Sequence, residues 1–287
     1  MFGSLSDMRR AITFGFSGLA CGLPCPVFSQ PIQIVSQYAP GTWHYADVVD
    51  LFAPAPIAVR ARIVNATRLK DIALPTGMTR FYIEADVVTL IRGPGGLPPR
   101  ISYVVDVPAD SRGKVPKLKK ADVLIAALPV KGRPGEIQLA ARDAQAMWSA
   151  PLDAQVRAVI ASVLAKGAAP VVTGVGSAFY VAGSIPGEGE TQVFLTTATG
   201  APVSLSILRR PGEARRWALA LGEIVDEAAG PPARDTLPWY RLACFLPRVL
   251  PDATVSELAA ADADVAREDY AFVIAQMGVC ARVRGKG

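Results

Sequence analysis

Carboxylates are the side chains of this sequence that occur in the spacings acid–base chemistry uses. Glu188 and Glu190 stand two apart in Pro186-Gly-Glu-Gly-Glu190, and Asp226 and Glu227 close a strand-like run. A pair of carboxyl groups flanking a glycosidic bond can act as general acid and as base or nucleophile. These four are therefore the expected catalytic residues if the chain is a carboxylate-dependent envelope hydrolase acting on a glycan. The competing reading is that they are solvated turn charges and a helix-start pair. As a calcium site, the Glu188 turn falls short of the usual oxygen count.

Other chemistries lack their parts. His44, in Trp43-His44-Tyr45, is the one histidine, whereas a nucleophile–histidine triad or a catalytic zinc needs more than a lone imidazole can supply. Ser111-Arg-Gly-Lys114 has Ser-x-x-Lys spacing, but Gly113 and Pro116 oppose the helical turn that would bring lysine to serine, and the companion motifs are missing. Gly174-Val175-Gly176 follows a strand pattern, yet Phe179 stands where a dinucleotide fingerprint needs its third glycine. No catalytic residue, cofactor or metal is expected in the leading reading.

The cationic clusters are the better binding candidates. Arg209 and Arg210 precede Pro211-Gly212, and Arg215 and Arg216 follow Ala214, so one hairpin tip is expected to gather four guanidinium groups. Lys114, Lys117, Lys119 and Lys120 form a second cationic loop. Guanidinium and ammonium groups facing one side would hold phosphate or carboxylate groups of an envelope protein or an anionic envelope surface. The alternative is that they guard strand ends.

The N-terminus gives an address. Arg9 and Arg10 lead into an apolar, small-residue run that continues through Leu23, and Val27-Phe28-Ser29 closes it. This order predicts a signal peptide over 1–29, cleaved before Gln30, and a periplasmic or secreted protein. Gly15, Gly18, Gly22 and Pro24 interrupt the run, so no membrane anchor is expected after cleavage. The arginine pair could open a twin-arginine signal, but the usual flanking pattern is incomplete and ordinary export is the favoured route. The mature chain would keep 28 basic and 24 acidic residues. That mild excess is not the concentrated charge of a nucleic-acid binder, and no nucleic-acid partner is expected. Cys244 and Cys280 would be the remaining thiols, expected to form a disulfide in an oxidising compartment.

Periodicity supplies the elements that must position these groups. After a lead-in over 30–49, a β-rich domain is expected over 50–150, with strands at 57–64, 81–91 and 101–107 and a hairpin of 122–130 with 136–141 across Lys131-Gly132-Arg133-Pro134-Gly135. A linking helix over 151–168 shows Leu152, Val156, Val159 or Ile160, and Val163 on one face. The second domain, 169–287, reads as an antiparallel meander at 170–185, 191–197, 203–209 and 216–225. A helical hairpin follows, at 236–246 and 256–277, the second helix opened by a capping box of Thr254 and Glu257 and buried through Leu258, Val265, Phe272 and Met277. Trp217, Trp239 and Tyr240 read as core residues.

The five strands over about 50–148, with long curved second and third members, resemble the OB-type or netrin-like barrels of secreted proteins. The expected fold is therefore α+β: an OB-like five-stranded β-barrel followed by an antiparallel β-meander domain with C-terminal helices. That resemblance implies a binding scaffold. Netrin-like inhibitors use a cysteine-led N-terminus that the mature chain lacks. The Ala-Arg-rich strand, the LIRGPGGLP turn and the run EIVDEAAGPPARDTLPWYRLAC are also similar to uncharacterised exported proteins of alphaproteobacteria. Together these readings lead to an exported, non-catalytic binding or adaptor protein.

Overall fold

The first structured turn already departs from the expected loose lead-in. In the computed structural model, which describes residues 43–70, 73–110, 112–222 and 230–284, helix α1 spans Tyr45–Phe52. Asp47, at its third position, accepts the His44 amide at 3.1 Å, satisfying one of the donors that a helix start leaves free. Val48, Val49, Leu51 and Phe52 are buried. The predicted signal segment and its cleavage point lie outside the described residues.

Six strands follow: β1 (Ile57–Arg68), β2 (Met78–Arg92), β3 (Arg100–Pro108), β4 (Asp122–Pro129), β5 (Ile137–Leu139) and β6 (Gln145–Met147). They form an antiparallel sheet in the order β3-β2-β1-β4-β5, with β6 also pairing β4. The expected fifth strand is thus split: the chain bulges away from β4 over 141–143, between bonds of Ala140 and Ala144 to Ala126, and continues as β6. Register shifts at three places between β1 and β2 bend this long pair, because an extra residue increases local twist. The sheet's two ends meet at one bridge, where the Ser102 amide donates to Gly135 O at 2.8 Å beside Glu136.

Helix α2 (Ala150–Leu164) starts at the Ser149 cap, whose hydroxyl accepts the Leu152 amide. Leu152, Val156, Val159 and Ile160 are buried, the face that the sequence spacing predicts, with Val163 partly buried beside them.

A second, four-stranded antiparallel sheet runs β10-β9-β8-β7, from β7 (Val172–Ala182), β8 (Gly189–Thr197), β9 (Val203–Arg209) and β10 (Arg216–Ala220). Gly174 and Gly176 lie at the register shifts of β7 against β8. Tyr180 lies over Gly189, where a Cβ would come within 2.2 Å of the tyrosine hydroxyl. Helix α3 (Leu237–Ala243) is capped by Thr236, and helix α4 spans Ala260–Met277.

The start of α4 differs from expectation. Thr254 lies in a 3-10 turn (Asp252–Val255) and donates its hydroxyl to Pro251 O, so the Thr254–Glu257 capping box does not form. The buried face is Ala263, Ala266, Asp269, Tyr270, Val273 and Met277, with Leu258 and Phe272 packed at its margin. Small alanines let α4 approach β7 and β8 closely. Trp217, Trp239 and Tyr240 are core residues, as their apolar neighbours predict. One continuous apolar cluster joins both sheets and all four helices.

Cys244 and Cys280 are joined by a disulfide, as expected, with Cα atoms 5.2 Å apart. Beyond it the chain returns to α1. Asp47 accepts the amides of Val283 and Arg284, Arg282 pairs with Asp50, and Arg284 pairs with Asp143. Among the described residues no helix is long and apolar enough to cross a membrane.

Candidate functional site

The connection from β3 to β4 holds the four lysines on a fixed loop. Asp110 organises its first turn: its carboxylate accepts the amides of Arg112 (2.9 Å) and Lys114 (2.8 Å), while its own amide donates to Lys114 O. Gly113 takes a positive φ of 74° there. Lys114 is therefore placed by a tight acid-centred turn and not by the helical turn a Ser-x-x-Lys nucleophile needs; Ser111 itself lies outside the described residues. Leu118, 3% exposed, anchors the second half in the core. The Lys120 amide donates to Ile63 O and the Ala121 amide to Leu118 O, so the loop closes back onto β1.

Around this anchor Lys114, Lys117, Lys119 and Lys120 are exposed. The carboxylates flanking them are already engaged. Asp106 receives two hydrogen bonds from Arg80, at 2.6 and 2.8 Å. Asp122 is shared by Arg60 and Arg62, and Asp110 is held by amides. Hydrogen bonds from Arg80 pull the Asp106 carboxyl below its ordinary range, and those from Arg62 and Arg60 do the same to Asp122. Among the described residues every ion pair takes its cation from arginine. None of the four lysines forms an ion pair among the described residues, and of the nearby carboxylates Asp106 and Asp122 are taken by arginines while Asp110 is turned to backbone amides.

The arginine hairpin is arranged differently. Arg209 lies across Asp269 (2.8 Å) and Glu268 (2.7 Å) of α4, and Arg215 reaches the same two carboxylates and the Phe272 ring. Asp269 is fully buried and also accepts the Thr191 hydroxyl at 2.6 Å. These two guanidiniums fasten the β9–β10 hairpin to α4. Arg216 pairs with Glu213 across the turn, and Arg210 has no ion pair among the described residues. The tip thus presents Arg210 and Arg216, not four equivalent cations.

Glu188 closes the β7–β8 turn by accepting the Ser184 amide at 3.1 Å, and Glu190 accepts from the Gln192 side chain at 2.9 Å. Both are bound into local structure. Asp226 and Glu227 lie outside the described residues. His44 is exposed at the start of α1. Among the described residues no group of three or more metal-ligating side chains occurs.

Two larger open concavities lie elsewhere on the described surface. A groove of about 360 Å³ lies where β3 meets the β4–β5 turn, with Tyr82 and Ser102 on its floor and Arg100 and Arg133 on its rim. Its arginines are neutralised by Asp86 and Glu136. A second, about 530 Å³, lies on the outer face of the β7–β10 sheet beside Gln192, Phe194, Pro202 and Ser204.

Asp110, which sets the lysine turn, and the Glu268–Asp269 pair, which holds the arginine hairpin, are positions that motif reading does not isolate. An aspartate in register with Ala266, Tyr270 and Val273 on one helix face is the signal for the second, since a buried carboxylate requires a partner.

No protein-family model matches this chain, and no curated protein matches it significantly.

Proposed function

We propose that this chain is an exported, non-catalytic binding or adaptor module of the periplasm or cell envelope, and that Lys114, Lys117, Lys119 and Lys120 form its contact surface for an anionic partner. The observation that carries this reading is the exposed lysine loop whose neighbouring carboxylates, Asp106, Asp110 and Asp122, are all occupied by arginines or amides. An unpaired cationic cluster steers and holds an anionic surface, while its fixed backbone lowers the ordering cost of association. Arg210 and Arg216 are a second, smaller contact. The Cys244–Cys280 disulfide fits an oxidising compartment.

The first sheet is read as an OB-type barrel. Its strand order and the parallel Ser102–Glu136 bridge between its ends support that architecture, which serves as a binding scaffold.

The test is in-cell cross-linking followed by purification from the native envelope, with wild type beside a variant carrying glutamate at positions 114, 117, 119 and 120. A reproducible partner recovered with wild type and lost with the folded variant supports the proposal. Equal recovery with both, or none with wild type, overturns it.

A further inference from the structure

Among the described residues strand β7 is an edge of the second sheet, pairing only with β8. All eleven of its residues, Val172–Ala182, are uncharged, and none is proline. Natural edge strands are guarded by charge, proline, bulges or cover, because a row of free backbone donors and acceptors invites another strand. The opposite edge, β10, carries Arg216 and is approached by Gly230, whose carbonyl accepts the Leu219 amide. In β7 the bulges are confined to the half before Ser177, and the stretch from Ala178 to Ala182 is regular.

The Gly183 amide donates to Glu188 O. By the two-residue alternation of an antiparallel ladder, the amides of Val181 and Phe179 face β8, and those of Ala178, Tyr180 and Ala182 face away. Among the described residues no hydrogen bond reaches these three amides or their carbonyls. The 3-10 turn and α4 pack against β7 without bonding its backbone.

We infer that β7 pairs antiparallel with β7 of a second copy of this chain, about a two-fold axis at Tyr180, giving a continuous eight-stranded sheet. The second copy is selected by self-complementarity. With Tyr180 opposite its counterpart, Ala178 faces Ala182 of the other copy, and the three outward residues supply about six N–H···O bonds. On the outer face Phe179 then meets Val181 of the other copy at both ends. These two side chains are 36% and 58% exposed in the single chain, and Phe179 already lies 5.7 Å from Phe194. No charge on either strand opposes the pairing, and the interface is isologous, so it closes at two copies.

Analytical ultracentrifugation of the purified protein over a dilution series, with amide hydrogen exchange, tests this. The expected result is a dimer in which Ala178, Tyr180 and Ala182 are protected, with protection lost on dilution. Val181→Lys places a charge against Phe179 of the other copy, and Ala182→Pro removes an outward donor where an edge tolerates proline; each is expected to give monomer mass. A wild type monomeric at all concentrations, a dimer whose three amides exchange freely, or a monomer that protects them only on adding a foreign extended peptide would overturn it. Should a variant unfold, the wild-type dilution series decides alone.

Discussion

Asp47 and Arg284, 237 residues apart, meet at 3.0 Å, where the Arg284 amide donates to the aspartate. The same carboxylate accepts the amides of Val283 and His44, so one fully buried side chain ties the C-terminal segment to α1. Asp47→Ala leaves three amides without this acceptor, and losing it is expected to cost about 2–4 kcal/mol. Urea unfolding measures the cost, and fast exchange of the Val283 and Arg284 amides locates it. An unchanged midpoint would mean that the clasp adds nothing to stability.

The disulfide anchors that clasp two residues before Arg282. Its 36-residue separation corresponds to about 3–4 kcal/mol in the chain-entropy model. Reduction, or Cys244→Ala with Cys280→Ala, is expected to lower the unfolding midpoint by a matching amount. Coincident curves with and without reductant would remove the disulfide from the account of stability.

The arginine hairpin divides into two pairs with opposite expectations. Arg209→Ala strips an ion partner from the buried Asp269 and is expected to cost about 3 kcal/mol. Arg210→Glu, at an exposed tip, is expected to stay within about 0.5 kcal/mol of wild type. Equal costs for the two substitutions would contradict the assignment of Arg209 to folding and Arg210 to the surface.

Acid sensitivity follows from Glu268, which hydrogen bonds from Arg209 and Arg215 pull down from 4.5 to about 2. A carboxyl lowered in the folded state binds fewer protons than in the unfolded chain. Its contribution is full above about 4.5 and is lost as the pH falls toward about 2. The stability gap between wild type and Glu268→Gln is therefore expected to close over that window, and to narrow with salt because Glu268 is exposed. A gap constant from pH 7 to pH 2 would contradict the ion-pair assignment. At the alkaline end, burial raises Tyr240 and Tyr270 above the usual tyrosine value of 10. The unfolded chain ionises first, so stability falls as pH climbs past that value.

Local patterning made much of the framework legible. Strand β9 ends where its alternation and Pro211-Gly212 predict, and the α2 face follows from the spacing of Leu152, Val156 and Ile160. The disulfide follows from counting cysteines. Helix α1 is hidden because Tyr45–Phe52 is only 8 residues long and is buried nearly all round, its Asp47 included. The α4 face is legible in part: Met277 is buried and Leu258 and Phe272 pack at the margin, but the closest contacts use Ala263 and Ala266, which hydropathy ranks below Val265. The candidate site was legible as a charge cluster, not as geometry. Four lysines and four arginines look alike in sequence, and only the long-range partners Glu268 and Asp269 distinguish cations that hold the fold from cations left free.

The proposed function requires that the lysine loop touch a partner. A photo-activated cross-linking residue placed at Lys117 in cells is the test, with the same residue at the exposed Lys166 for comparison. One reproducible adduct is expected from position 117 and none from 166. No adduct at 117, or the same adduct from both positions, would contradict it.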